Sequence, residues 1–459
     1  MQRQTITIVG GGFSGSMVAL QLARLPGGPY ACDVHLVEPR PAPGPGLAYS
    51  AARPEYLLNV RTQNLSAFPD EPAHFASWLR EKQLPACEFC SRQTYGDYLR
   101  ELTAGLLAAP AANGVRFFWH HQSAVGATVN ADGLTATVRL ANGREISSHR
   151  VVLALGNFPP PPPAGPATEY LAHPTYHPDP WAPGALQSIE AQDSILLIGS
   201  GLTAVDVLLG LRATGHQGPI KVVSRHGRWP MEHSRVHSHY PDFYADKLAG
   251  LTNIGAVVRV LREEVRLAAE QGVNWRAVLD SLRPHLGQIW AAWPEAEQAR
   301  FLRHLASLWT TLRHRSPPQN ARIIRDMLTT GQIRMSAGRV RQILPRSRYL
   351  AVQISRGPRT EWLTARHIIT CTGPLLDYSR IADPLVRELR ETGQLVSDSL
   401  RLGMVTDAHG ALINARGEAS TIFSTLGPSR RPAYFESTAV PELRQQAADL
   451  ARYLGQGLF

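Results

Sequence analysis

The chain has 459 residues, which at about 150 residues per domain allows roughly three units. Hydrophobic residues make up 44% and charged residues 18%, which excludes wholesale disorder, and no run nears the ~18 consecutive apolar residues of a membrane-spanning helix. Basic residues outnumber acidic ones 47 to 37, a net charge of +10, which favours anionic partners.

Residues 6–9 form a short apolar, β-rich run. Gly10, Gly11, Gly12, Phe13, Ser14 and Gly15 follow, and residues 16–25 have helix-like spacing. This is GxGxxG in a strand–turn–helix setting. The glycines allow a tight turn, close approach of a pyrophosphate and close helix–strand packing. The helix N-terminus offers free N–H groups to the phosphates. A second strand over 33–37 ends at Glu38. A carboxylate there suits the hydroxyls of an adenosine ribose and repels a 2′-phosphate, so this turn is read as an FAD or NAD site.

Further along, 151–156 and 367–373 are strands ending in Gly156 and Gly373. Five prolines, Pro159 to Pro163, cannot sit in a helix or a central strand. They mark a surface crossing between two domains. A second unit follows: a strand over 194–198, then Gly199, Ser200, Gly201, Leu202, Thr203 and Ala204, then a helix over 205–211. The next strand, 220–223, ends in Ser224 and Arg225 rather than a carboxylate. A hydroxyl and a guanidinium suit a 2′-phosphate, so this turn is read as an NADPH site. Two such turns imply that a held FAD takes hydride from a nicotinamide nucleotide.

Residues 255–330 have helical texture, and Trp275, Trp290, Trp293 and Trp309 within them are read as core rather than as a substrate box. Arg313, His314 and Arg315 end a helix, either contacting an anion or facing solvent. Short strands return over 351–355 and 367–370, and a helix is expected over 441–454.

Several constellations carry little weight. Cys87 and Cys90 form a CxxC without the second pair that zinc needs, so redox and metal roles are set aside. His226, His233, His237 and His239 crowd one loop and are read as polar loop residues; no metal site is expected. The 44 arginines are scattered, with only Lys82, Lys221 and Lys247 beside them, so nucleic acid is not expected. Neither is a membrane. Cys32, Cys87, Cys90 and Cys371 are too few for a disulfide scaffold and fit a reducing compartment. With no signal-peptide pattern at residues 1–9, a cytoplasmic location is the expectation.

The chain resembles the bacterial FAD/NAD(P)-binding flavoproteins related to flavin-dependent N-hydroxylating monooxygenases. The resemblance rests on Gly10 to Gly15; Gly44, Pro45, Gly46 and Tyr49; Leu57, Leu58, Asn59 and Val60; Tyr95 to Tyr98; Gly199 to Asp206; Cys371 to Pro374; and Leu426, Gly427, Pro428 with Glu436, Ser437, Thr438 and Ala439. It implies an α/β fold with two Rossmann-like dinucleotide-binding domains. The FAD domain is discontinuous (1–165 and 366–459). The NAD(P) domain (166–365) is inserted and carries a helical insertion (241–330). Tyr49, Asn59, Gly156, Gly373, Gly427, Pro428 and 436–439 are implied to line FAD, with the last helix aimed at the flavin. Arg61 stands where the family tends to carry proline. It is either a substrate-facing cation or a rim charge; with Asn59 it is the candidate catalytic pair.

The expected function is an FAD-dependent, NADPH-consuming monooxygenase. Molecular oxygen and a small amine or sulfur substrate would meet at a flavin (hydro)peroxide. An NAD(P)H-dependent reductase without oxygen insertion and a non-catalytic redox sensor or electron relay are the alternatives.

Overall fold

Two parallel sheets carry the fold. The structure, a computed structural model, describes residues 3–26, 32–51, 53–108, 110–163, 165, 168–236 and 238–456. His237 lies outside them. The first sheet has the strand order Ala411–Ile413, Ala419–Thr425, Arg150–Leu153, Gln4–Val9, Cys32–Val37, Arg116–His120, antiparallel only at the first pair. The second runs Ile333–Ala337, Ile220–Ser224, Ile195–Ile198, His367–Thr370, Tyr176–His177, all parallel. Their inner strands are continuous apolar runs because helices cover both faces. Ile195 to Ile198 are all buried.

The helix Phe13–Ala23 is apolar around most of its circumference and buries eight of its residues. Such a helix must be covered on two sides. The sheet covers one side and the C-terminal helix Val440–Gln456, near the expected 441–454, the other.

The two glycine turns repeat one construction. Gly10 donates to the Val37 carbonyl at 2.9 Å, and Ala154 donates to the Val9 carbonyl at 2.8 Å. In the second unit Gly199 donates to Val223 at 2.8 Å, and Cys371 to Ile198 at 2.7 Å. Gly10 has φ +99° and Gly199 φ +110°. A Cβ on Gly10 would collide with the Ala154 carbonyl oxygen, and one on Gly199 with that of Cys371. Both positions therefore need glycine twice over, for conformation and for space.

The crossings between domains run side by side. Phe158 on the way out bridges Leu375 on the way back, and the Phe158 ring meets Tyr378 edge-on at 5.9 Å. The strand His367–Thr370 belongs to the second sheet, so the chain returns to the first only after Thr370, not at 366. The helical insertion also ends earlier than the texture implied. Ile254–Glu270, Trp275–Ser281, Leu286–Ala291, Glu295–His304 and Ala306–Arg313 pack largely on one another. Pro318–Thr329 instead sends Ile324 and Met327 into the core of the second sheet. No helix among the described residues is long and apolar enough to cross a membrane.

The third position of each turn differs. A Cβ on Gly15 would overlap the Gly10 carbonyl oxygen, whereas Ala204 carries its methyl fully buried. Gly15→Ala should lower stability by about 2–3 kcal/mol through overpacking. Ala204→Gly should cost about 1–2 kcal/mol in helix propensity and lost burial. Urea midpoints of the two variants, measured side by side, check the asymmetry.

Candidate functional site

Two helix N-termini converge at the first turn. Gly12 is the N-cap of Phe13–Ala23 and supplies no side-chain cap, so the first-turn N–H groups remain available to an anion. A Cβ on Gly12 would stand 3.2 Å from the Gly46 Cα. One side of the turn is thus closed by the loop of Gly44 and Gly46, where Gly44 donates to the Gly11 carbonyl at 2.7 Å. On the other side Gly427 meets Ser14. Gly427 donates to Gln446 at 2.9 Å, its carbonyl accepts from Ser437 Oγ at 2.6 Å, and Gln446 donates to Ser437 Oγ at 2.8 Å. This network ties the start of Val440–Gln456 to the start of Phe13–Ala23. Pro428 continues the link in the short helix Gly427–Arg430.

Glu38 is 2% exposed. Its carboxylate accepts from the Gly11 N–H at 2.9 Å and from the Arg40 N–H at 2.9 Å. The side chain is thus fixed beside the turn, where the ribose reading needs it. Phe13 and Tyr49 pack on each other beside the turn. Both side chains are buried with Tyr95 in an aromatic group, and burial raises the Tyr49 hydroxyl to about 12. At Phe13 it is the backbone that faces the turn.

The second turn is more open. Gly201 caps the helix Leu202–Ala213 without a side-chain bond, and a Cβ there would meet nothing within 4 Å. That is a cradle a pyrophosphate fits. Thr203 is half-buried in the first turn of that helix. Ser224 accepts from the Gly227 N–H at 3.1 Å, and Arg225 beside it is exposed. Burial and the charges of Arg225, Arg228 and Arg339 together hold the His226 imidazole below its ordinary range. Three guanidiniums therefore surround the end of this strand. Arg228 and Arg339 were not singled out in the sequence because they are 3 and 114 residues from Arg225.

The cleft between the domains is pinned. Arg92 donates to Asp206 at 2.9 Å, and Asp206 is 3% exposed. Burial raises its carboxyl above the ordinary range despite Arg92. Gly210 stands under the Tyr56 hydroxyl, where a Cβ would lie 2.5 Å from that oxygen. His233, held down to about 4 chiefly by burial, donates from Nε2 to the Asn59 carbonyl at 2.9 Å. Arg61 pairs with Glu88 and donates to the Ser234 carbonyl at 2.8 Å. Arg61 is therefore engaged in holding the domains together. The Asn59 side-chain amide is half-buried and makes no hydrogen bond among the described residues, so it is available to a ligand.

Gly156 and Gly373 take φ +68° and +87° where the chain leaves the two sheets. Glu436, ahead of the C-terminal helix, accepts from Trp309 Nε1 at 2.8 Å and pairs with Arg313 at 3.3 Å. Glu442 in its first turn takes a bidentate pair from Arg283 at 2.6 and 2.9 Å. Thr438 is exposed and Ala439 half-buried between them. The helical insertion thus grips the start of the C-terminal helix, and Arg313 is not a solvated helix end. Arg315 is 2% exposed and pairs with Asp280 at 2.8 Å. Trp290 and Trp293 are buried in the insertion's core with Trp309 packed against it, and all four tryptophans also line an apolar cavity of about 390 Å³.

Cys87 and Cys90 are nearer the cleft than their sequence position implied. Cys90's carbonyl accepts from the Leu58 N–H at 2.8 Å, and Phe89 packs on His233 at 5.0 Å. Burial and the neighbouring Cys87 push the Cys90 thiol up to about 12, so it is a poor nucleophile at neutral pH. The histidine loop does not gather: His233 turns to Asn59, and His226 and His239 are exposed. Among the described residues no three His, Cys, Asp or Glu side chains cluster as metal ligands.

Residues 7–158 match a family described as FAD-NAD(P)-binding, so this segment is an FAD/NAD(P)-binding domain. The whole chain shares its fold with the ornithine N-hydroxylase of Kutzneria sp. 744, solved with reduced FAD, NADP+ and L-ornithine (TM-score 0.67, 12% identity, 100% of each chain). It is similar to the L-lysine 6-monooxygenase of Pseudomonas syringae (0.65, 16%, 99% of each). The Lactococcus lactis thioredoxin reductase is more distant (0.51, 12%, 100% of this chain and 99% of that one). No curated protein matches the chain.

Removing Arg92 leaves Asp206 buried without its partner, at a cost of about 3–5 kcal/mol. In Arg92→Ala the folded state holds the Asp206 proton more tightly than the unfolded chain does. Stability is then lost as pH rises through the ordinary carboxylate range towards the raised folded value. The deficit against the parent protein should therefore be larger at pH 8 than at pH 5, measured by urea unfolding at both.

Proposed function

We propose that the protein is an FAD-dependent, NADPH-consuming monooxygenase that oxygenates an amine or sulfur substrate. The observation that carries this reading is the pair of open helix N-termini on two repeated turns, one beside a buried carboxylate and the other beside three guanidiniums. In this reading the FAD unit comprises 1–165 and the segment returning after Thr370, and the residues between hold NADPH.

FAD, when bound, accepts hydride from NADPH and activates molecular oxygen. The chain's own part is binding, orientation and exclusion of water. The N-termini at Gly12 and Val440 face the anionic groups of FAD, and Glu38 receives the ribose hydroxyls. Gly201 lets the second pyrophosphate approach its helix, and Ser224 with Arg225 takes the 2′-phosphate. The Arg92–Asp206 pair and the His233–Asn59 bond keep the cleft narrow, which keeps water from the reacting groups. Asn59 can donate to a cofactor oxygen and accept from an amine with the same amide. Turnover that needs dioxygen, with one labelled oxygen atom in the product, tests the reading. NADPH-driven turnover that proceeds equally under nitrogen overturns it in favour of a reductase.

Two substitutions separate the nucleotides. Gly201→Asp places a carboxylate at the second helix N-terminus without a packing clash. The purified protein should stay yellow and lose flavin reduction by NADPH. Arg225→Ala loses a charge-assisted contact of about 1.5–3 kcal/mol, so the KM for NADPH should rise about tenfold or more. The KM for NADH should change little. Steady-state kinetics with both donors decide it.

Cys87→Ser/Cys90→Ser should reduce its flavin with NADPH within about fivefold of the parent rate. A loss above about a hundredfold in the folded, flavin-loaded variant would establish a dithiol relay instead. Stopped-flow absorbance of the flavin gives the rate.

A further inference from the structure

The helical insertion encloses an apolar cavity of about 390 Å³ whose walls include Val257, Leu261, Leu279, Trp290, Phe301 and Leu312. This volume falls within the range of small-molecule sites, about 300–1,000 Å³. Apart from Arg262 and the Nε1 of Trp293, unpartnered among the described residues, the walls are apolar. Their complement is an apolar chain.

Phe435 also lines the cavity, where it stacks on Trp290 at 4.9 Å and meets Phe301 edge-on at 5.0 Å. Phe435 holds φ +57°, a conformation that non-glycine residues adopt only when the surroundings impose it. Its chain neighbour Glu436 opens the segment that leads to the C-terminal helix. Arg262, an exposed residue, also lines the cavity and makes no ion pair among the described residues. A second cavity of about 360 Å³ shares Ile254, Val258 and Leu305 with the first and is edged by Arg300 and His304. The carboxylate paired there, Glu297, is 3.5 Å from Arg300 and also accepts from the Ile254 N–H at 2.8 Å.

We propose that this cavity receives the apolar chain of the substrate, with a carboxylate on the substrate held by Arg262, Arg300 and His304. The carboxylate follows from the excess of positive charge among these residues, and the chain follows from the walls. The inference names the substrate class of the monooxygenase read above and rests on that reading only in calling the ligand a substrate.

The probes are butanoate, octanoate and dodecanoate, titrated into the full-length, FAD-loaded protein without NADPH. Trp275, Trp290, Trp293 and Trp309 all line the cavity, so intrinsic fluorescence reads binding directly. Octanoate and dodecanoate should give saturable changes, with affinity rising about fourfold per added methylene. Dodecanoate should also shift the flavin absorption spectrum. Arg262→Glu, at an exposed position, should weaken dodecanoate at least tenfold and favour dodecylammonium. No saturable fluorescence change overturns the site. Equal affinity for dodecanoate and dodecylammonium in the parent protein overturns the carboxylate. A fluorescence change with an unmoved flavin spectrum overturns the substrate assignment. A second copy of the chain covering the cavity would show as a dimer that dodecanoate neither enters nor dissociates, and that also overturns the proposal. None of these readouts requires oxygen or turnover, so the monooxygenase reading can fail while the site stands, and the reverse.

Discussion

Two carbonyl oxygens, those of Ala154 and Cys371, set the spacing of both nucleotide turns. Each lies where a Cβ on the facing glycine would have to go. The contact forces the turn against the end of the neighbouring strand. It therefore fixes where the following helix begins and where its free N–H groups lie. Both carbonyls also sit where the chain leaves one sheet for the other. Nucleotide site and domain crossing are thus one piece of geometry, built twice. The copies differ in their surroundings. The first turn is closed in by Gly46 and Gly427, whereas the space around Gly201 is open.

Holding two such units at a fixed distance needs contacts across the cleft. The Arg92–Asp206 pair is buried, so its Coulomb attraction is little screened by salt, while its desolvation makes it unforgiving of either partner's loss. The Tyr56–Gly210 contact needs a missing Cβ in the middle of a helix, where glycine costs about 1 kcal/mol relative to alanine. Arg61 and His233 add bonds to the backbone of the opposite side. These contacts fix the backbone of Asn59, whose carbonyl accepts from His233.

The sheets were legible in the sequence because parallel strands are short apolar runs, and the turns because each glycine answers a steric demand. Glu38 was legible from its place at a strand end, as were Ser224 and Arg225. What escaped was whatever depends on contacts between distant segments. Arg228 and Arg339 join Arg225 only after the second sheet folds. Arg92 and Asp206 lie 114 residues apart, with no pattern linking them. Phe13 entered with the glycine turn and Tyr49 with the resemblance, and neither signal showed that both rings pack against Tyr95. Arg61 read as a substrate cation or a rim charge, and nothing in its sequence surroundings pointed to the Glu88 and Ser234 partners that the fold places beside it. The tryptophans of the insertion have helical spacing, and such spacing cannot separate a filled core from a lined cavity.

The insertion is tied to the C-terminal helix by charge rather than by apolar packing alone. Arg283 and Arg313 reach Glu442 and Glu436, on either side of the start of the C-terminal helix. Burial raises the cost of ionising Glu442, yet the hydrogen bonds from Arg283 hold its carboxyl below the ordinary range. A bidentate guanidinium–carboxylate pair has a preferred plane as well as a preferred distance. The helix N-terminus is thereby held in orientation as well as in position. Phe435, between Tyr434 and Glu436, transmits the same constraint to the cavity wall. Moving the wall would require Phe435 to leave its strained backbone conformation or Glu436 to leave Trp309 and Arg313. The insertion cavity and the C-terminal helix are therefore joined through Phe435, Glu436 and Glu442, although one is built of tryptophans from the middle of the chain and the other from its last twenty residues.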